Sequence, residues 1–231
     1  MSMVHISMQF FGGRGSSGRA AGGGGGGSKS VVVYKEMNAP YEADSLFADS
    51  YDNWRHQIDG SEKDEIQNYT GSAYVSINEI LREISNPPSQ VKDSYLARAD
   101  NISSAISKFE LNDNIVVFRG VNLDAFGLSG GDDMFSTATE KGMKALIGTT
   151  FVDKGFMSTS AVKSAAFNSK DVKMSINVPK GKGRGAWVKP LSTYSYENEF
   201  LLQKGSGLKI TKVEKVGGHW EIQADLVGND A

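Results

Sequence analysis

The stretch Ser89–Gly120, SQVKDSYLARADNISSAISKFELNDNIVVFRG, changes its period part-way along. Its first part places Val91, Tyr95, Leu96, Ile102, Ala105, Ile106 and Phe109 at helical spacings, which gives one apolar stripe along a long helix. From residue 114 a β-branched run, NIVVFRG, reads as a strand that ends at Arg119-Gly120. Upstream, the signals are helical. APYEADSLFADSYDNW carries Leu46, Phe47, Tyr51 and Trp54 at helix-compatible positions. SEKDEIQNYTG opens on Ser61 and acids that suit a helix N-terminus, and Gly71 is its expected stop. Ser76-Ile-Asn-Glu79 reads as the capping box of a further helix, ended by Asn86-Pro87-Pro88.

Downstream, one short helix is expected, capped by Thr137-Ala-Thr-Glu140 and closed at Gly148. The rest is a series of strand-like runs: TTFVDKGFMSTS, VKMSINVP, GAWVKP, EFLLQKG, LKITKVEKV and HWEIQADLV. Gly217-Gly218 joins the last two as a hairpin. In the final run Trp220, Ile222, Ala224 and Leu226 alternate with polar residues, as one buried face requires. Helices first and strands afterwards, with no βαβ alternation, predict an α+β fold: N-terminal helices packed on a core of two antiparallel β-sheets.

The first 35 residues differ in composition. FFGGRGSSGRAAGGGGGGSKS is too poor in apolar area to offset the entropy of ordering it. Residues 1–35 are therefore expected to be a flexible tail, and 36–231 the folded domain. The tail carries Arg14, Arg19, Lys29 and Lys35 and no acid, and its apolar cluster MQFF is a candidate docking peptide. The whole chain has a net charge of −2, which gives no reason to expect nucleic acid or an anionic membrane as partner. There is no cysteine, so disulfides, thiolate nucleophiles and zinc–cysteine sites are excluded. His5, His56 and His219 are scattered, and no metal site is predicted. No apolar run approaches the roughly 18 residues that span a bilayer, and the N-terminus lacks the features of a secretory signal. The expectation is a cytoplasmic chain, or one exported by another route.

Two motifs are set aside. GLSGG, residues 127–131, fits G-x-S-x-G but lacks the strand before it and the helix after it. GKGRG, residues 181–185, lacks the strand–helix setting of a dinucleotide fingerprint. The pair Glu197 and Glu199 in YSYENEFLLQKGSG carries more. In an extended segment the two would share a face, with α-carbons about 6.5–7 Å apart, and each would raise the other's pKa unless a cation lay between them. Cleavage of an N-glycosidic bond to a cationic leaving group supplies such a charge as oxocarbenium character. Taken alone, E-x-E on a strand is an ordinary polar face. Arg119 at a strand end could grip a phosphate or meet a core-edge carboxylate. Ser158, Thr159 and Ser160 end another strand, where hydroxyls could brace a neighbouring side chain or cap AVKSAAF.

VVFRG, DKGFMSTS and YSYENEFLLQKGSG, in this order, resemble the R-S-E class of mono-ADP-ribosyltransferases, the bacterial exoenzyme and binary-toxin type. The resemblance covers residues 40–215. YTGSAYVSIN is similar to that family's nucleotide-facing helix, with Tyr69, Tyr74 and Asn78 in the matching places. The resemblance implies NAD⁺ as donor substrate and no metal. Arg119 would hold the pyrophosphate, and Gly120 would admit the backbone close to the nicotinamide amide. Ser158 would position Glu199, which would stabilise the oxocarbenium, and Thr159 and Ser160 would line the same site. Phe167 would lie against the nicotinamide and Lys170 near the phosphates. Glu197 would engage the acceptor; E-x-E rather than Q-x-E implies arginine on a target protein. Tyr194, and secondarily Tyr196, would contact that target. A glycohydrolase transferring to water is the alternative on the same fold, and a non-catalytic binding module is a third. MQFFGGRGSSG resembles tails of phage-borne proteins, which implies a mobile-element origin.

Overall fold

The computed structural model describes residues 9–11, 32–126, 128, 136–165 and 170–228. Strand β1 (Gln9–Phe11) is followed by α1 (Pro40–Arg55), whose proline sits at the first turn, where a missing N–H costs nothing. Helix α2 (Gly60–Asn68) begins at Asp59, two residues before the expected Ser61. Asp59 and Glu62 cap each other reciprocally, with bonds of 2.9 and 3.0 Å. Gly71 does not end this helix. The chain widens into a π turn (Tyr69–Ala73) and continues as α3 (Tyr74–Leu81). The expected capping box at Ser76–Glu79 therefore lies inside a helix and caps nothing. Tertiary packing overrides the local stop signal: Tyr69, which opens the turn, and Ile77, beyond it in α3, are fully buried. After the two prolines α4 runs from Ser89 to Lys108.

The strands follow as the sequence indicates: β2 (Glu110–Leu111), β3 (Ile115–Val121), then α5 (Thr137–Ala145), β4 (Thr150–Val152) and β5 (Met157–Ser160). Ser136, one residue before the expected cap, accepts the N–H of Thr139 and starts α5. The rest is β6 (Val172–Val178), β7 (Gly181–Lys182), β8 (Gly185–Trp187), β9 (Glu199–Leu202), β10 (Gly207–Val216) and β11 (His219–Val227). The predicted hairpin is present: Val216 pairs with His219, and Gly217 takes a φ of 56° that a β-carbon would resist.

The α+β class holds: nine of the strands make one continuous sheet in the order β1-β4-β10-β11-β6-β3-β5-β9-β8, and β2 pairs with β7 in a separate two-stranded sheet. All pairs are antiparallel except β11 with β6. The join between its two parts is thin. β3 meets β5 through the single register pair Phe118–Ser160, so in place of the two antiparallel sheets the sequence implies there is one mixed sheet whose two parts, the one ending in β3 and β5-β9-β8, are narrowly joined. Helices α1 and α4 cover the second part. Phe47 stacks on Trp187 at 4.7 Å and on Phe200 at 5.5 Å, and Phe109 meets Phe200 edge-on at 6.0 Å. The buried Trp54 indole donates to the Ala105 carbonyl at 2.7 Å, which satisfies that donor inside the aromatic core.

The expected 1–35 tail is tied to the domain at both described places. Gln9–Phe11 pairs with β4. Lys35 exchanges backbone bonds with Asn114 and Val116, pairs with Asp113 at 2.8 Å, and leads to the buried Met37. Deleting residues 1–31 is expected to leave the thermal midpoint within a few degrees of wild type, because the Lys35–Met37 anchor is retained. Extending the deletion through Met37 removes a buried side chain and should lower stability by about 2 kcal/mol or more, read by thermal or urea unfolding.

Candidate active site

The site is assembled at the seam. β3 delivers Arg119, half-buried, whose guanidinium donates to the Ser158 carbonyl at 3.1 Å and enters no ion pair among the described residues. Burial lowers its pKa, and the charges of Asp153, Tyr69 and Glu199 pull it back up against Arg82. A guanidinium drawn out of water without a contacting counter-charge is suited to a bidentate anion such as a phosphate.

β5 turns Ser158 outward and Thr159 and Ser160 inward. The Ser158 hydroxyl bonds to Glu199, which opens β9 with 5% of its surface exposed. Burial pushes the Glu199 carboxyl up to about 7; the Ser158 bond and the Arg119 charge oppose the shift and the Glu197 charge adds to it. Thr159 and Ser160, expected beside the nucleotide, have another job. Thr159 donates to the Phe200 carbonyl, and Ser160 donates to the Val162 carbonyl at 3.0 Å while accepting the Val162 N–H. Both hydroxyls are buried and occupied, so they fasten β5 to β9 and to the turn beyond.

The two glutamates do not share a strand face. Glu197 ends a 3₁₀ turn (Ser195–Glu197), and Asn198 then takes a left-handed conformation, φ 50° and ψ 50°. The i, i+2 rule applies to extended backbone only; this corner puts Glu197 on an exposed tip and Glu199 in the interior. The carboxylates still sense each other. Loss of water around Glu197 raises its pKa above the usual carboxylate range. Tyr194 and Tyr196 stand on the same tip, exposed, with ring centroids 6.0 Å apart.

Behind the site lies a polar network that the sequence does not announce. Arg82, the residue after α3, grips Asp153 with two bonds of 2.7 and 2.8 Å, both side chains almost wholly buried. Arg82 also donates to the Phe156 carbonyl at 3.3 Å, and Asn78 accepts the Phe156 N–H at 2.9 Å. Asn78 donates to the Tyr69 hydroxyl at 2.9 Å, and Tyr69 hydrogen-bonds Ser158 and feels the Glu199 charge. Burial, with that charge, raises the Tyr69 pKa. Tyr69 and Asn78, expected to face the nucleotide, are buried braces of the strand that carries Ser158. Tyr74, partly exposed and 6.4 Å from the Tyr69 ring, is the member of that trio which reaches the surface. Gly155 makes the packing feasible: a β-carbon there would stand 2.6 Å from Asn78 Oδ1 and 3.0 Å from Arg82 Nε. Gly120 is half-buried beside Arg119, and Lys170 is exposed. Phe167 lies outside the described residues, as does most of 127–131.

Residues 43–227 match the model of the ADP-ribosyltransferase exoenzyme family. Among characterised relatives, the NAD(+)–arginine ADP-ribosyltransferase EFV of Enterococcus faecalis is 26% identical over 73% of the chain, which spans 32% of that protein's length. The mono-ADP-ribosyltransferase C3 of Clostridium botulinum D phage is 24% identical, over 75% of this chain and 72% of its own. The fold is shared with Plx2a, an ADP-ribosyltransferase toxin from Paenibacillus larvae, at a TM-score of 0.74 and 24% identity, over 85% of this chain and 100% of that one. The Clostridium limosum C3 exoenzyme gives 0.73 and 22%, over 85% and 98%. The fold is thus of the ADP-ribosyltransferase type. The chain belongs to the ADP-ribosyltransferase exoenzyme family.

Two outcomes follow from the geometry. Gly155→Ala should destabilise by about 1–3 kcal/mol through overpacking and reduce nicotinamide release from NAD⁺, because Phe156 and hence β5 must shift; unchanged unfolding would contradict the network. Glu199 titrates higher in the folded than in the unfolded chain, so the folded state binds the extra proton and stability falls as pH rises through about 7. Glu199→Gln should therefore raise the thermal midpoint at alkaline pH and change it little in mild acid, with a gain on the order of 3 kcal/mol at most.

Proposed function

We propose that this chain transfers ADP-ribose from NAD⁺ to an arginine side chain of a target protein and releases nicotinamide. The observation that carries the reading is the convergence of an ion-pair-free guanidinium, Arg119, with a buried carboxylate, Glu199, across one serine. Arg119 binds the pyrophosphate, and Tyr74, Lys170 and Phe167 are the remaining candidates for contact with the dinucleotide. The bond between nicotinamide nitrogen and ribose C1′ breaks, and its electron pair leaves with the now neutral nicotinamide. Positive charge develops on the ribose, where ionised Glu199 stabilises it, held by Ser158. An acceptor guanidine nitrogen then bonds to C1′, and Glu197 takes its proton.

Arginine as acceptor is supported by Glu197, which offers a charge-assisted bond to a guanidinium where an amide would not. It is also what the name of the Enterococcus relative says of that protein. Exposed Tyr194 and Tyr196 beside Glu197 supply aromatic surface for the target. No helix among the described residues is long and apolar enough to cross a membrane.

Glu197→Gln separates transfer from hydrolysis. Labelling of agmatine, a small guanidine acceptor, should fall by about a hundredfold or more, while nicotinamide release in the absence of acceptor persists. Removing the Glu197 charge also lowers the Glu199 pKa, so the acid limb of the hydrolysis profile should move to lower pH. Undiminished agmatine labelling would remove Glu197 from acceptor chemistry. No nicotinamide release by wild type would leave only a binding module.

A further inference from the structure

The corner between the two glutamates is made by Asn198, and its bonds differ from those of its neighbours. Its backbone carbonyl accepts the Ala161 N–H at 2.9 Å, just past β5, and its N–H donates to the Ser195 carbonyl at 3.3 Å. Its side-chain Nδ2 donates to the Tyr196 carbonyl at 2.8 Å. That carbonyl can only accept, which fixes which end of the amide faces it. The other end, Oδ1, is fully buried and has no hydrogen-bond partner among the described residues. The residue is 3% exposed and left-handed.

These facts constrain what Asn198 is for. A left-handed corner alone would be served by glycine without sealing an unpaired acceptor inside the protein. What asparagine adds is the bond to Tyr196. That bond clips the tip that carries Glu197, Tyr194 and Tyr196. The other end of the same loop is held by Thr193, whose N–H reaches Thr70 Oγ1 at 3.2 Å. Glu199 is held independently: it pairs with Ser160 in the sheet, and its carbonyl accepts the Val188 N–H at 3.2 Å. The donor half of the site is anchored in the sheet and the acceptor half hangs from Asn198 and Thr193.

We propose that Asn198 is the positioning residue of the acceptor half: its clip on Tyr196 holds Glu197 and the two tyrosines in register with Glu199, and so sets the partition of ADP-ribose between arginine and water. This rests on the transferase reading above. It names a residue that touches neither reacting group.

Asn198→Gly keeps the corner and removes the clip. With agmatine as acceptor, transfer should fall by about tenfold, while nicotinamide release without acceptor stays within about twofold, well below one such step. The thermal midpoint should hold or rise, since the bare acceptor is gone. Amide hydrogen exchange at Glu197, whose N–H bonds to the Tyr194 carbonyl at 3.0 Å, should quicken, with no change in β9. A parallel fall of transfer and hydrolysis would overturn the proposal, as would unchanged transfer or unchanged exchange at Glu197. If the wild type releases no nicotinamide, the transferase reading falls, and the exchange comparison still decides the clip. If Asn198→Gly does not fold, Asn198→Asp makes the same test: it keeps shape and left-handed tolerance but turns an acceptor on the Tyr196 carbonyl. Measured at pH about 9, above the Glu199 titration, it must lose transfer more than hydrolysis.

Discussion

Two parts of the sheet meet through one register pair, Phe118 with Ser160, and the residues of the proposed site gather beside that join. The residue after Phe118 is Arg119, the partner of Ser160 across β5 and β9 is Glu199, and Ser158 lies two residues before Ser160 on the same strand. A wide ladder would occupy this place with backbone bonds and close-packed side chains. Beside a single pair, polar side chains from both parts of the sheet reach one region. The site therefore depends on β5 being held at a fixed angle to β3, and the join is too small to hold it alone.

The buried network supplies the missing constraint. Arg82 follows α3 and Asp153 follows β4, and Arg82 and Asn78 between them take both the carbonyl and the N–H of Phe156. An ion pair that far from water adds little net stability, because desolvation offsets most of the attraction. Its geometry is nonetheless demanding: two parallel bonds fix the angle of a guanidinium as well as its distance. The same logic runs through Tyr69 to Ser158, so the helical layer sets where the serine hydroxyl stands. Among the described residues Arg119 contacts no carboxylate, which suits the anion-binding role proposed for it.

The sequence carries the parts of this that are periodic or out of place. The switch from helical to strand spacing near residue 114 is periodic, and it gave the layer order. Arg119, Ser158 and Glu199 are polar residues at the ends of apolar runs, which is why they could be singled out. Three features were illegible for physical reasons. The stop expected at Gly71 fails because burial of Tyr69 and Ile77 outweighs one glycine, whose preference against helix is only about 1 kcal/mol. Thr159 and Ser160 look identical in kind to Ser158, and only strand pairing decides which hydroxyl is turned out. The Arg82–Asp153 and Asn78–Phe156 contacts join residues 71 and 78 apart, beyond the reach of any local pattern.

The E-x-E pair is the instructive case, because its geometry departs from what strand alternation predicts. Strand alternation would have placed both carboxylates on one face, where each would suppress the ionisation of the other. The left-handed Asn198 breaks the alternation between them, and asparagine is among the few residues that accept that conformation readily. The break divides the work. Glu199 goes inward, where burial lifts its proton affinity and a serine and a guanidinium restrain the lift. Glu197 goes outward, beside two tyrosines, where a protein surface can reach it. On the proposed function, one chain segment thus faces a dinucleotide with one carboxylate and a second protein with the other, because a single residue between them departs from the strand.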